Sequence, residues 1–329
     1  MSKKEESYEE QILKEFESTQ QPQTEVVRDL GKVNIGAGYV DINEDPEIIR
    51  IKNTMDYVNI PLNCLPSQGR FYPDDTRIMI RAARVDEIRQ FSTIDEEDPK
   101  DIRDKMTYII SQCVKVYFGN TPGHYKDIID GDRVPLILKI RELTFIDGQS
   151  SIKIPVPNGA CKTPDCKPQD TIDFNSNLLE FVEPNHDYDK YYDQVEKCYN
   201  IKTKSFGDIK LYIPTIGVST AISNWIRQQQ LENKNFDVSL VDILQYVVKD
   251  WRTLTDRQIF NKMTEIAGWP TKKFTLIYRI KEELGVDIKS ELRTTCAQCG
   301  GELVVPITFP DGFKSLFVPT ISDIGDELL

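Results

Sequence analysis

The pattern of apolar and polar residues predicts an N-terminal module in which strands precede helices. Apolar and polar residues alternate over Tyr57–Leu62 as in a strand, and the composition of Ile78–Ala82 predicts a second strand. The Leu65–Pro73 segment between them has the proline and glycine of a turn. Apolar residues then recur at helical spacing over Asp101–Phe118, and Val134–Phe145 is a shorter, more apolar helical stretch. These segments together predict a β-α module.

A second set of strands and helices is predicted further along the chain. The strand patterns occupy Ile152–Val156, Asp173–Val182 and Ile209–Pro214, with loops rich in Pro and Asp between them. The helical patterns cover Val218–Ile226, Leu240–Trp251, Ile259–Ile266 and Lys272–Leu284. Thr255 and Gln258 have the spacing of a capping box at the start of the third helix. The second half is therefore predicted to combine a β region with a helical region.

Charge sets the first 50 residues apart from the rest of the chain. The 329 residues have a formal net charge of -12, from 53 acidic and 41 basic groups. Residues 1–50 hold 12 acids and 6 bases, a balance of 6 - 12 = -6, and they contain few aromatic residues. We therefore predict an acidic arm that is extended or disordered, with one short helix over Glu9–Phe16. Such an arm is either a solubilising tail or a segment that folds on a partner.

The composition argues against membranes and nucleic acids as partners. No apolar run approaches the roughly 18 residues that a membrane helix needs. The chain begins with lysines and glutamates rather than with a hydrophobic signal segment. Proteins that bind phosphates gain affinity from clustered Lys and Arg, whereas this chain is acidic overall. We therefore expect a protein that is made and kept inside a cell and binds neither a membrane nor nucleic acid.

Cysteine spacing is the strongest chemical signal in the sequence. Cys296 and Cys299, followed by two glycines, have the form of a zinc knuckle, because two intervening residues let both thiolates reach one ion. Cys161 and Cys166 form a second, looser pair. Four thiolates would surround a tetrahedral ion and leave no open position, so we predict one structural zinc per chain. The alternative is that one pair is incidental, or that Cys296 and Cys299 form a redox pair.

The sequence offers no residue set that selects a catalytic reaction. His124 and His186 lie in polar loops, and neither has a His or Cys neighbour at ligand spacing. The sequence contains no nucleophile elbow, phosphate loop or dinucleotide fingerprint. The remaining cysteines, Cys64, Cys113 and Cys198, are interpreted as small buried hydrophobic residues. We therefore predict that the protein is not an enzyme.

The positions of the cysteine pairs predict the domain organisation. Strand-like sequence precedes the first pair and follows the second, and the helical region lies between the pairs. We therefore predict an α+β fold in which a helical domain is inserted into a split zinc ribbon with four cysteine ligands. The predicted boundaries are 1–50 for the acidic arm, 51–150 for the β-α module, 151–215 with 285–329 for the split zinc-ribbon β domain, and 216–284 for the inserted helical domain.

Several segments, in their order, resemble the baseplate hub assembly proteins of T4-like contractile-tailed bacteriophages. Leu65–Pro73 is similar to that family's Leu-Pro-Ser-x-Gly-x-x-Tyr-Pro element, and Arg84–Ile88 is similar to the helix start that follows it. Asp132–Phe145 is similar to the family's Asp-x-x-x-Leu-Leu-x-x-Leu-Arg helix, and the cysteine pairs and Phe309–Phe317 fit the remaining order. The first cysteine pair departs from the pattern, with four intervening residues where two are commoner.

The resemblance implies a non-enzymatic phage tail protein that helps to build the baseplate hub. Its expected partners are other tail proteins, the hub and tape-measure proteins among them. Its expected location is the host cytoplasm during assembly, with the tail baseplate of the virion as the alternative. In this interpretation Phe71 and Tyr72 are aromatic anchors on a docking surface. The alternative is that Leu65–Pro73 is only a turn between two strands.

Two other functions stay open on the sequence alone. A zinc ribbon also suits a regulatory or nucleic-acid-associated protein, but such a protein needs a basic face. A metal-dependent hydrolase would need a ligand set other than four thiolates.

Overall fold

The computed structural model divides the chain into two compact units, Met1–Lys52 and Asn53–Leu329. The structure describes residues 33–35, 38–40, 57–145, 151–232, 238, 240–309 and 312–317. In the first unit, β1 (Val33–Ile35) and β2 (Gly38–Val40) form an antiparallel hairpin that the sequence pattern did not predict. Strands of three residues are too short to show a clear alternation. The helix predicted over Glu9–Phe16 lies outside the described residues.

The second unit begins with an antiparallel sheet in the order β3-β4-β5-β6. Its strands are β3 (Val58–Ile60), β4 (Thr76–Ile80), β5 (Val114–Phe118) and β6 (Thr121–Pro122). The helices of this region are α1 (Val85–Phe91), α2 (Pro99–Cys113) and α3 (Arg133–Thr144). Ile78 and Ile80 are buried while Arg77 is exposed, so β4 turns one face to the core.

The helix predicted over Asp101–Phe118 is wrong in its last five residues. α2 ends at Cys113 and β5 begins at the next residue. β5 pairs with β4 along its whole length, from Val114 opposite Ile80 to Phe118 opposite Thr76. Its valines and aromatic residues favour a strand, and the ladder of hydrogen bonds to β4 outweighs the helical periodicity.

The rest of the second unit alternates short hairpins with helices. The strands are β7 (Ile152–Pro155), β8 (Thr171–Phe174), β9 (Phe181–Val182), β10 (Tyr192–Asp193), β11 (Cys198–Thr203), β12 (Gly207–Leu211), β13 (Asp287–Ile288), β14 (Glu291–Thr295) and β15 (Glu302–Pro306). The helices are α4 (Ile216–Glu232), α5 (Val241–Leu244), α6 (Asp256–Ala267) and α7 (Thr271–Glu283). The fold is therefore mixed, with both helices and strands.

Two elements of this region are shorter than their sequence patterns predict. The strand predicted over Asp173–Val182 divides into β8 and β9 around a 3-10 helix, where the Ser176 N–H donates to the Glu142 carboxylate at 2.5 Å. The helix predicted over Leu240–Trp251 ends at Leu244. Beyond it, the Tyr246 carbonyl accepts a hydrogen bond from the Tyr212 N–H at 2.7 Å. In both places a tertiary hydrogen bond interrupts the regular element.

One hydrophobic core runs through the described part of the second unit. It includes Ile109 of α2, Ile154 of β7, Ile222 of α4 and Val305 of β15, each almost fully buried. The β-α, ribbon and helical regions predicted from the sequence therefore share a core within one compact unit. Among the described residues, no helix combines the length and the apolar character that crossing a bilayer requires.

A buried carboxylate joins the Leu65–Pro73 turn to the start of α3. Asp132 is fully buried and accepts hydrogen bonds from the Ser67 N–H at 2.9 Å, the Ser67 hydroxyl at 2.6 Å and the Tyr72 hydroxyl at 2.6 Å. The Tyr72 oxygen accepts in turn from the Ile129 N–H at 3.0 Å. Burial raises the pKa of Asp132 to about 6, although the hydrogen bonds from Ser67 and Tyr72 oppose this shift.

Phe71 and Tyr72 are not available as anchors for a partner, which corrects the docking interpretation. Their exposed fractions are only 7% and 1%. The Phe71 ring packs edge-on against Tyr192 with centroids 5.7 Å apart, while Tyr72 donates to Asp132. Both aromatic rings therefore stabilise this chain itself, as expected for a turn between two strands.

Residues 312–317, which follow β15, contact α1 and the segment that follows α1. The Glu96 carboxylate accepts hydrogen bonds from the Phe313 N–H at 3.0 Å and the Lys314 N–H at 2.8 Å. Phe317 is fully buried, and its ring lies 5.0 Å from that of Phe91 in α1. These contacts hold the chain that leaves β15 in a fixed position.

The capping box predicted from Thr255 and Gln258 is confirmed. The Thr255 hydroxyl accepts from the Gln258 N–H at 3.3 Å, and the Gln258 side chain accepts from the Thr255 N–H at 2.8 Å. These two bonds fix the first turn of α6.

Replacing Thr255 by alanine is expected to lower the free energy of unfolding by about 1 kcal/mol, because the Gln258 N–H loses its acceptor. Urea denaturation of both proteins measures the difference. Thr275→Ala is the control, since Thr275 is exposed in α7. A loss of equal size in the control would show that the cap contributes nothing specific.

Candidate metal centre

Each cysteine pair lies in the connection between two antiparallel strands. Cys161 and Cys166 lie between β7 and β8, whose register pairs Ile152 with Phe174. Cys296 and Cys299 lie between β14 and β15. Each hairpin therefore brings two thiols to its closed end.

Backbone hydrogen bonds place the two hairpins side by side. The Lys162 N–H donates to the Glu302 carbonyl at 2.9 Å, and the Val304 N–H donates to the Ala160 carbonyl at 3.0 Å. Cys161 thereby forms an isolated antiparallel bridge with Leu303 of β15. The segment that carries the first cysteine pair is thus paired with a strand of the second hairpin.

The four sulfur atoms converge on one point. All four Sγ atoms lie within 4.8 Å of one another, and the Cys161–Cys299 and Cys166–Cys296 distances are 3.5 and 3.8 Å. Four sulfurs arranged tetrahedrally around one ion, with metal–sulfur bonds of about 2.3 Å, would be about 3.8 Å apart. The four cysteines could therefore hold a metal ion. In the described part of the chain, no other group of three or more Cys, His, Asp or Glu side chains converges in this way.

Hydrogen-bond donors stabilise the thiolate form of Cys299. The Thr163 Oγ1 and the Gly301 backbone nitrogen each lie 3.4 Å from its Sγ. These contacts, with that of Thr163 the strongest, lower the pKa of Cys299 to about 6. The hydrogen bond to Cys299 raises the pKa of the neighbouring Cys166. Cys299 is therefore a thiol of this cluster whose thiolate form the surrounding hydrogen bonds favour.

Glycine suits each of the two positions after Cys299 for a different structural reason. Gly300 has a φ of +72°, a left-handed conformation that glycine adopts without strain. A Cβ on Gly301 would lie 2.2 Å from the Thr163 hydroxyl oxygen, which has to approach Cys299. Gly300 thus relieves the turn and Gly301 leaves room for Thr163, while the Gly301 N–H reaches the Cys299 sulfur.

The cluster lies at the edge of the protein. Cys161 and Cys296 are buried, Cys166 is half-buried and Cys299 is exposed. The Gln169 side-chain oxygen accepts from the Ala297 N–H at 3.2 Å and so joins the first connection to the second. The arrangement lets an ion reach the thiols from solvent while the hairpins hold two of them inside.

Of the other three cysteines, Cys64 does not fit the prediction. Cys113 and Cys198 are fully buried, as predicted, and burial raises the pKa of Cys113 to about 12. Cys64 is exposed instead, because it ends a 3-10 helix at the surface. Sequence reasoning also missed the ion pair beside Cys113, in which the buried Arg81 and Glu87 side chains lie 2.6 Å apart.

Neither histidine belongs to the cysteine cluster. The His186 side chain is 79% exposed and lies 3.0 Å from Asp189. His124 Nδ1 accepts from the Lys126 N–H at 3.1 Å, and partial burial lowers its pKa. His186 contacts a residue of its own loop, whereas the His124 ring lies 5.2 Å from that of Trp251. The candidate site consists of cysteines.

The fold and the site define a protein with mixed helices and strands and a four-cysteine cluster that could hold a metal ion. No protein-family model, curated protein or solved structure matches the chain.

Proposed function

We propose that the chain is a non-enzymatic structural or assembly protein of a contractile phage tail, with one structural zinc ion per chain. The convergence of four Sγ atoms within 4.8 Å carries the metal part of this proposal. The resemblance of the Leu65–Pro73, Asp132–Phe145 and cysteine segments to baseplate hub assembly proteins supports the tail part.

Zinc is the ion that best suits this donor set. Four thiolates in a tetrahedron are one of the usual closed coordinations of structural zinc, and the shortest sulfur distances of 3.5 and 3.8 Å suit it. A closed sphere has no position for water or substrate, so the ion would stabilise the fold rather than activate a reaction. This favours a structural protein over a hydrolase.

The metal would close a split zinc ribbon around the helical region. The β7-β8 and β14-β15 hairpins carry the ligands, and α4 to α7 lie between them in the chain. One ion would thus hold the two ends of the segment 167–295, which contains these helices, at a common point. Such an ion stabilises because it binds the folded chain, in which the four sulfurs converge, more tightly than the unfolded chain.

The function that follows is assembly through protein contacts. The expected partners are the hub and tape-measure proteins of the same tail, met in the host cytoplasm or retained in the virion baseplate. Co-expression of the full chain with each of these proteins, followed by affinity purification, tests this. We expect a stoichiometric complex with at least one of them.

The same experiment separates this proposal from the nucleic-acid alternative. A chain that binds none of the tail proteins, but retains duplex DNA at physiological salt, would contradict it and favour a nucleic-acid-associated zinc ribbon. Cys64→Ser is the control variant, since Cys64 is exposed and outside the cluster, and it should form the same complex as the unaltered chain.

A further inference from the structure

The four thiols of the cluster differ in how far solvent reaches them. Cys299 is exposed, while the other three are buried or half-buried. The Thr163 Oγ1 and the Gly301 nitrogen each lie 3.4 Å from the Cys299 Sγ, where both can donate hydrogen bonds to a thiolate. An exposed sulfur with such donors beside it is the kind that oxidants reach first.

A second thiol lies next to this sulfur on the other hairpin. The Cys161 Sγ is 3.5 Å from the Cys299 Sγ, and the Cys166 Sγ is 3.8 Å from the Cys296 Sγ. Both contacts run between the β7-β8 and β14-β15 connections. Since the sulfurs of a disulfide are about 2.05 Å apart, an approach of about 1.5 Å joins Cys161 to Cys299.

Backbone pairing holds the two connections together at this point. Cys161 forms an antiparallel bridge with Leu303, and the Val304 N–H donates to the Ala160 carbonyl at 3.0 Å. The approach of the two sulfurs is therefore set by paired backbones and not only by the rotamers of two side chains.

Cys64 provides a comparison within the same chain. It is exposed as well, but its Sγ lies 3.7 Å from the Asn63 Oδ1, which is an acceptor and not a donor. Among the described residues, Cys64 is not a member of the converging group of thiols. Exposure alone therefore does not distinguish Cys299, whereas the nearby donors and the neighbouring thiol do.

We propose that Cys299 is a site of modification by peroxides, and that Cys161 resolves the product into a disulfide between the two hairpins. The Cys299 thiolate attacks one peroxide oxygen, the O–O bond breaks, and hydroxide leaves with the electron pair of that bond, which gives a sulfenic acid. The Cys161 thiolate then attacks the Cys299 sulfur, the S–O bond breaks, and a second hydroxide leaves. Two electrons thus pass from the two sulfurs to the peroxide, which takes up two protons and becomes two waters.

This disulfide would make metal binding sensitive to oxidants. Only Cys166 and Cys296 would remain as thiols, and two thiols are too few for a closed site with four ligands. Oxidation is therefore expected to release the ion, and a thiol reductant is expected to restore the site. The release rests on the proposed function, whereas the disulfide rests on the thiols alone.

Hydrogen peroxide added to the full chain loaded with zinc tests the proposal. After the free thiols are alkylated, trypsin separates Cys161 from Cys166 at Lys162 and leaves Cys296 and Cys299 on one peptide. Mass spectrometry without reduction should find the Cys161 peptide joined to that peptide, and fragmentation should place the bond on Cys299. About one zinc should be released per disulfide, and dithiothreitol should reverse both changes.

Two variants that each lose one thiol of the cluster provide a matched pair. Dimedone, which labels sulfenic acids, should label Cys299 about fivefold more in Cys161→Ser than in the unaltered chain, because the resolving thiol is absent. Cys299→Ser should form disulfides about tenfold more slowly. Cys64→Ser is the control and should leave the disulfide and the zinc release unchanged. The peptide map of the unaltered chain does not depend on the folding of any variant.

Three results would overturn the proposal. The first is a disulfide within one hairpin, joining Cys161 to Cys166 or Cys296 to Cys299. The second is equal labelling of Cys64 and Cys299 by dimedone in Cys161→Ser. The third is a chain that binds zinc but forms no disulfide at peroxide concentrations that oxidise Cys64, and this result would leave the zinc site intact. A chain that binds no zinc but forms the expected disulfide would contradict the metal proposal alone.

Discussion

Replacing both Cys296 and Cys299 by serine is expected to abolish binding of the metal and to cause the largest loss of stability of any change considered. Two of the four converging sulfurs are removed, and serine hydroxyls are poor ligands for a soft ion. An ion held in the folded state at 1,000 times its Kd stabilises by about 4 kcal/mol, and this is the loss we expect. Metal analysis by mass spectrometry and thermal denaturation measure the two effects.

The controls for this experiment lie within the same chain. Cys64→Ser with Cys198→Ser also removes two thiols, but neither belongs to the cluster, so it should retain one zinc per chain. A chelator should lower the melting temperature of the unaltered protein and leave that of the Cys296/Cys299 variant unchanged. Purified protein without metal, or a double variant that melts like the unaltered protein, would contradict the structural zinc site.

Replacing Asp132 by alanine is expected to lower the free energy of unfolding by about 3 kcal/mol, because buried donors lose their acceptor. The Ser67 N–H, the Ser67 hydroxyl and the Tyr72 hydroxyl all donate to this carboxylate. The change would loosen the connection between the Leu65–Pro73 turn and α3. Denaturation at pH 5 measures it, and Asp208→Ala at an exposed position of β12 is the control that should change little.

The pH dependence of stability gives a second measurement of the same carboxyl group. Its pKa of about 6 in the folded protein lies above the ordinary value of 3.8, so the folded state holds this proton more tightly. The proton on Asp132 therefore contributes about 3 kcal/mol to the free energy of unfolding below about pH 4. This contribution is lost as the pH rises through about 6. Asp132→Ala should remove this slope. An unchanged slope in the variant would show that other groups cause it.

The residues of the candidate site could be predicted from the sequence, but their contacts could not. The spacing of Cys296 and Cys299 requires only a local turn, so it is visible in the sequence. Thr163 and Gln169 support that turn from the other hairpin, and no local pattern connects them with it. Their role depends on the pairing of Cys161 with Leu303, which brings together segments distant in the chain.

Two errors of sequence reasoning have the same physical origin. Aromatic residues beside a turn can lie on a docking surface or in a core. Phe71 is buried against Tyr192, and Tyr72 is buried with its hydroxyl donating to Asp132, so both belong to the core. At the end of α2, pairing with β4 made a strand of residues whose spacing also suits a helix. In both cases the local pattern allows two structures, and a distant contact selects one of them.

The sequence by itself determined the local features of this protein: the acidic balance of residues 1–50, most helices, the capping box at Thr255 and the two cysteine pairs. These features depend on neighbours within a few residues. The tertiary structure alone decided that the four thiols converge and that Asp132 joins a turn to a helix. Such features depend on which distant segments share the core, and that is settled only when apolar surface is buried across the whole unit.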